Sequence, residues 1–161
     1  RTEAPMKTAE PGKVVPALKL PATGDQTIEL KSLRGKKVVL YFYPKDSTPG
    51  CTTEGQDFAA NHAKFKRAGA VILGISRDSV ASHEKFKAKY EFPFELLSDK
   101  DETACGIFDV IKEKNMYGRK VMGIERSTFL IDAAGKLRKE WRKVKVKGHV
   151  DEVLQSVKDL A

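Results

Sequence analysis

Apolar positions change their period several times along the chain, and each change marks an element. Residues 15–20 and 27–30 alternate apolar and polar on either side of Gly24-Asp25, which predicts a β-hairpin. A turn follows at Ser32-Leu33-Arg34-Gly35. Residues 37–43 then run Lys-Val-Val-Leu-Tyr-Phe-Tyr without alternation, the pattern of a strand buried on both faces. Helical spacing begins near Gly50 and reaches Ala68, with Phe58, Ala59, Ala63 and Phe65 on one side. A second buried strand is predicted over residues 70–75. Asp78-Ser79 caps a helix that runs to about Tyr90. A short strand is predicted at 94–97, and a helix from Ser98 or Asp99 through Phe108. Residues 127–132 form a strand, Ala134-Gly135 a turn, and 137–144 the hairpin partner. Gly148 opens a last helix, with Val150, Val153, Leu154 and Val157 in helical register.

Strand–helix–strand–helix units cross over right-handedly, so the middle strands are parallel, and the later hairpin adds antiparallel strands. The expected class is α/β: a mixed central sheet flanked by helices, with an N-terminal β-hairpin extension, as in a thioredoxin-like fold. A chain of 161 residues fits one domain. Its expected bounds are 14–161, behind a flexible N-terminal segment at 1–13 rich in Ala, Pro, Thr and charge. That segment has no apolar core of a signal peptide. The chain begins with Arg1 rather than Met, which leaves export or an organelle open, and a cytoplasmic location is expected. No apolar run approaches the ~18–20 residues of a membrane span, so no membrane partner is expected.

Composition removes several chemistries. Two cysteines exclude a disulfide scaffold and a Cys-rich metal centre. His62, His83 and His149 have no metal-motif spacing, and no metal or organic cofactor is expected. His62 and His83 are placed on solvated helix faces, and His149 as no more than a cap. The net charge of +8 is concentrated at residues 136–147, where seven basic side chains face only Glu140. Val144 and Val146 alternate with lysines there, which reads as a half-exposed strand. A nucleic-acid-binding module using this basic strand is the alternative of another class. Solubility explains the same charge, and one Trp makes no stacking platform, so no specific nucleic acid is expected.

The sharpest feature is the junction after the first buried strand, Tyr43-Pro44-Lys45-Asp46-Ser47-Thr48-Pro49-Gly50-Cys51-Thr52-Thr53-Glu54. Ligands in open α/β sheets bind beyond the carboxyl ends of strands. Cys51 stands at a helix start, where unpaired N–H groups and a positive partial charge favour thiolate over thiol. The Thr48 hydroxyl can hydrogen-bond a substrate or the sulfur, Pro44 shapes and shields the loop, and Glu54 lies one turn along, able to complement the helix end or hold a distant cation.

Pro44-x-x-x-Thr48-x-x-Cys51 resembles the active-site signature of the peroxiredoxins. The string from Val39 through Glu54 resembles the peroxiredoxin Q (bacterioferritin comigratory protein) subfamily. Residues 123–132 resemble the segment carrying that family's active-site arginine, and 141–149 its last strand and helix start. The likeness covers about residues 12–161. It implies a thiol-dependent peroxidase that reduces hydrogen peroxide and organic hydroperoxides and serves as an antioxidant in redox homeostasis. Cys51 would be the peroxidatic cysteine, becoming a sulfenic acid. Thr48 and the Cys51 N–H would hold the peroxide, Arg126 would stabilise charge on sulfur and peroxide, and Pro44 would pack over them. The subfamily is mostly monomeric, so a monomer is expected.

Two positions depart from the pattern. Many members carry a resolving cysteine five residues after the first, where this chain has Gln56. Others carry it in the following helix, near Lys87 here. A one-cysteine cycle is therefore expected, with an external thiol such as thioredoxin or glutaredoxin/glutathione as reductant. The alternative is a two-cysteine cycle through a Cys51–Cys105 disulfide, although Cys105 sits in an apolar helix as a core residue would. A redox sensor or holdase would share the first chemical step.

Overall fold

A computed structural model describes residues 7–160. The chain forms β1 (Lys19–Ala22), β2 (Gln26–Glu29), a 3-10 turn (Leu30–Leu33), β3 (Lys37–Phe42), α1 (Pro49–Ala60), α2 (His62–Arg67) and β4 (Ala70–Ser76). It continues through α3 (Val80–Tyr90), β5 (Glu95–Ser98), α4 (Thr103–Phe108), β6 (Ile111–Met116), β7 (Arg119–Ile124), β8 (Ser127–Ile131), β9 (Leu137–Trp141) and α5 (His149–Asp159). Seven strands make one sheet in the order β2-β1-β5-β4-β3-β8-β9. The β3, β4 and β5 strands are parallel, and the flanking pairs are antiparallel. The N-terminal hairpin thus extends the same sheet. No helix among the described residues is long and apolar enough to cross a membrane.

The central strand β3 divides the core. Val38, Leu40 and Phe42 face one side, with Cys105, Ile107 and Phe108 of α4. Val39, Tyr41 and the following Tyr43 face the other, with residues of α1, α2, α3 and α5. A strand buried on both faces cannot alternate in sequence, which is why its run is continuous.

Four boundaries differ from expectation. The single helix over 50–68 is broken at Asn61, whose side chain donates to Asp57 O at 2.9 Å. An Asn that takes a carbonyl from the helix ladder favours such an interruption, and Phe58 and Phe65 are both fully buried on either side of it. The helix expected from 98 or 99 starts at Thr103. Asp99 instead reaches forward, accepting the N–H groups of Ala104 and Cys105 at 3.0 and 2.7 Å. The partner strand expected to reach Val144 ends at Trp141, so the basic stretch beyond it is coil rather than strand, with Val144 and Val146 half-buried and Lys143, Lys145 and Lys147 exposed. Arg142 there donates to the Phe108 and Asp109 carbonyls at 2.8 Å, holding the coil to the body. Residues 9–13 are also docked: Ala9 N–H donates to Ile107 O at 2.8 Å and Gly12 N–H to Leu137 O at 2.7 Å. The expected flexible segment is therefore ordered over this part, and its residues 1–6 lie outside the described residues.

The β6–β7 hairpin occupies a stretch with no predicted element. Its two-residue turn, Tyr117-Gly118, has both residues at positive φ (53° and 79°), the geometry that suits a tight hairpin.

Gly55 in α1 lets the Phe92 ring lie directly on the helix. A Cβ there would overlap the ring tip and sit 3.0 Å from Cε1. Gly→Ala in a helix interior normally gains up to ~1 kcal/mol, whereas overpacking a full core costs about 1–3 kcal/mol. We expect packing to win: Gly55→Ala lowers the melting temperature, and a rise would show that Phe92 moves freely.

Candidate active site

The β3 strand delivers its carboxyl end to a turn, and the turn delivers Cys51. Ser47 takes φ 63°, and Thr48 at the N-cap returns to extended backbone at φ −82°. The Thr48 hydroxyl donates to Lys45 O at 2.8 Å, closing the turn on itself rather than capping the helix, and leaves its oxygen lone pairs as acceptors. Pro49 occupies the first helical position, where its missing N–H is no loss. Cys51 is the third residue of α1 and is 2% exposed. Pro44 and Thr48 are half-buried.

Arg126 arrives from the neighbouring strand. Antiparallel register sets Phe42 opposite Ser127, so the residue before Ser127 lies beside the turn that follows β3. Val144 N–H donates to Arg126 O at 3.0 Å and fixes its backbone. One guanidinium spans two groups: Nη2 donates to Cys51 Sγ at 3.3 Å, and Nη1 to Glu54 Oε1 at 2.6 Å. Cys51 and Glu54 can share it because residues three apart lie on one helix face. Gly50 makes room, since a Cβ there would stand 3.1 Å from Arg126 Nη2.

Electrostatics follow from burial. Burial pushes the Glu54 carboxyl up to about 7, against the downward pull of Arg126. For Arg126, burial pulls down, and the charges of Glu54 and Cys51 more than offset it. Glu54 Oε2 and Tyr41 Oη are buried without a hydrogen-bond partner among the described residues. Burial, with Glu54 and Cys51 next, holds the Tyr41 hydroxyl well above its ordinary range. Tyr41 belongs to no chemical motif legible in the sequence. A hydroxyl inside an otherwise hydrocarbon strand was its only signal.

The remaining expected residues fall elsewhere. Cys105 is fully buried on the opposite face of the sheet from Cys51. Burial and the Asp99 carboxylate push its thiol well up. Gln56 is exposed on α1, and Lys87 pairs with Glu95 at 2.7 Å. Two histidines correct the expectation. His83 is fully buried, not solvated, and bonds Asp46. His149 is more than a cap: it is buried against Trp141 and Phe58, its Nε2 lies 2.7 Å from Thr128 Oγ1, and burial pulls it down to about 4. His62 is half-buried.

The AhpC/TSA family model matches residues 11–140. Peroxiredoxin Bcp of Xanthomonas campestris is 58% identical over 141 residues, 88% of each chain. Peroxiredoxin Bcp of Bacillus subtilis is 53% identical over 154 residues, 96% of this chain and 98% of its own. A solved structure of X. campestris peroxiredoxin Q covers 89% of this chain and 90% of its own, with 57% identity and a TM-score of 0.85. Another, of the X. campestris bacterioferritin comigratory protein in trapped intermediate and ligand complexes, is described in terms of alkyl peroxide reduction. It covers 88% and 90%, with 57% identity and a TM-score of 0.84. Thioredoxin-like architecture, a buried cysteine bonded by an arginine, and relatives more than half identical over most of their length agree: the chain belongs to the peroxiredoxins of the AhpC/TSA family, the thiol-dependent peroxidases.

Proposed function

We propose that Cys51 is the peroxidatic nucleophile and that hydrogen peroxide and alkyl hydroperoxides are its substrates. The observation that carries this is the single Arg126 guanidinium bonded to both Cys51 Sγ and Glu54 Oε1. It is placed to stabilise negative charge on the sulfur and on the oxygens of a bound peroxide. In the reaction the sulfur lone pair attacks the terminal oxygen. The S–O bond forms as the O–O bond breaks, and the departing alkoxide or hydroxide takes a proton and leaves as alcohol or water. Cys51 remains as sulfenic acid. Thr48 Oγ, with its lone pairs free, accepts the peroxide O–H, and the Cys51 N–H at the helix start donates to the peroxide oxygen. Pro44 packs over the site and limits water.

The sulfenic acid is reduced by an external thiol, such as thioredoxin or glutaredoxin/glutathione. A disulfide requires α-carbons within about 7 Å, and the two sulfurs belong to cores on opposite faces of the sheet. Neither Gln56 nor Lys87 supplies a thiol. We take the protein to act as a cytoplasmic monomer, a single domain over 14–161 preceded by the docked residues 9–13.

The test is an intact-mass time course on reduced protein with one equivalent of hydrogen peroxide and a sulfenic-acid trap. One adduct on Cys51, with Cys105 still alkylatable, supports this cycle. Loss of both thiols with no adduct makes Cys105 the resolving partner, and no fast reaction at Cys51 removes the proposal. Cys105→Ser is expected to leave the rate of Cys51 oxidation within about twofold of the parent, as distant sites act independently.

A further inference from the structure

Asp46 stands two residues before Thr48, and its side chain is turned inward, 7% exposed. Three side chains converge on the carboxylate. Tyr43 Oη donates to Oδ1 at 2.6 Å and Ser82 Oγ to Oδ2 at 2.8 Å, while His83 Nδ1 lies 2.7 Å from Oδ2. The other ring nitrogen of His83, Nε2, donates to Leu97 O at 2.9 Å. The backbone of Asp46 is held as well, its N–H donating to Asp78 Oδ2 at 2.9 Å. Asp78 in turn accepts the Ser76 hydroxyl at 2.6 Å. The turn before Cys51 is thus tied to α3 through His83 and Ser82, to β5 through Leu97, and to the end of β4 through Ser76.

Asp46, Asp78 and His83 together offer metal-type ligands within 4.8 Å of one another. Their facing atoms are already engaged with Tyr43, Ser82, Ser76 and the Asp46 N–H, so hydrogen bonding accounts for the cluster without an ion. The network does have mechanical work to perform. The next residue, Ser47, sits at φ 63°, a left-handed conformation that a non-glycine residue keeps only when its surroundings over-determine it. Asp46 fixes the chain on one side of Ser47. On the other side Thr48 is held by its hydroxyl on Lys45 O, and its own carbonyl accepts the Thr52 N–H that starts the helix.

We propose that His83, acting through Asp46, is a positioning residue for peroxide reduction: the buried Asp46–His83 pair sets where the Thr48 hydroxyl and the first turn of α1 stand relative to the sulfur of Cys51. This rests on Cys51 being the nucleophile. His83 touches no reacting atom. Its effect is on alignment, and a misplacement near 1 Å costs about 10²-fold in rate.

Two rates on the same reduced protein separate alignment from general damage. Oxidation of Cys51 by hydrogen peroxide needs the aligned pocket. Alkylation of Cys51 by iodoacetamide needs an accessible thiolate only. For His83→Asn and Asp46→Asn we expect the peroxide rate to fall about 10–100-fold, with alkylation within about twofold of the parent. The double variant should be no slower than the worse single one, because both remove the same link. Tyr43→Phe and Ser82→Ala each delete one hydroxyl from the Asp46 carboxylate and keep its charge. They should show the same split, weaker, and they decide the matter should His83→Asn fail to fold. Equal losses in both rates, or an unchanged ratio in every folded variant, overturns the proposal. A parent protein that does not oxidise at Cys51 overturns the peroxidatic assignment itself, and the wild-type control shows which of the two has failed.

Discussion

Cys51→Ser is expected to remove peroxide turnover, lowering thiol-dependent consumption at least about 10³-fold, as loss of a nucleophile does in other covalent mechanisms. The substitution isolates chemistry from structure. Serine is nearly isosteric with cysteine, and the position is already polar on one side, because Arg126 Nη2 lies 3.3 Å from the sulfur. A serine hydroxyl can accept that bond, so the fold and the Arg126–Glu54 pair persist. What disappears is the polarizable sulfur nucleophile that the proposed O–O cleavage requires. Cys105 cannot substitute for it. Its thiol is fully buried on the far face of the sheet and held well above its ordinary range by burial and Asp99. Peroxide consumption with a thiol reductant in excess is the measurement, with circular dichroism as the fold control. Turnover that persists in a folded Cys51→Ser protein would move the chemistry to another group.

The sequence displays the junction that bears Cys51 more clearly than the residue that completes it. Residues 37–43 form an uninterrupted apolar run, and a Pro- and Gly-containing turn before a helical pattern can be read locally. Arg126 is 75 residues away, and its placement depends on the antiparallel register of β3 with β8, which no local pattern encodes. Family likeness, rather than spacing, pointed to it. The β6–β7 hairpin lacks a local sequence signal for a different reason. Both its faces carry polar side chains, and Tyr117 at its tip is 99% exposed, so no buried stripe gave a period of two. Tyr-Gly is also a weaker turn signal than Asn-Gly. His83 illustrates the bias against polar residues in a core. It stands three residues before the buried Phe86, on the inward face of α3, and that spacing could have placed it inside.

Arg126→Ala is expected to lower the rate of Cys51 oxidation about 10²–10³-fold, the usual loss when one charge-stabilising donor is removed from a buried site. Arg126→Lys should restore only part of it, because one ammonium cannot present a planar fork to both Sγ and Oε1. The same change has a distinct signature in stability, set by Glu54. In the folded parent this carboxyl holds its proton to about 7, and in the unfolded chain it releases near 4.5. Between those values the folded state binds the extra proton. The stabilising contribution is therefore complete below about 4.5 and is lost as pH rises to about 7. The whole loss is about 3 kcal/mol at about 1.4 kcal/mol per pH unit. Above that window the parent is flat with respect to this group, since the carboxyl has then released its proton in both the folded and the unfolded chain. In Arg126→Ala burial still pushes the carboxyl up while both downward pulls from Arg126 are gone. Its folded value moves higher, and the decline continues beyond pH 7. Melting temperatures of parent and variant should thus differ by a constant amount below about pH 7 and diverge above it. Adding Glu54→Gln to Arg126→Ala removes the titrating group, so the divergence should vanish while the peroxide rate stays low. A gap that is the same at every pH would mean that Glu54 has another source of positive charge, and that Arg126 serves the sulfur alone.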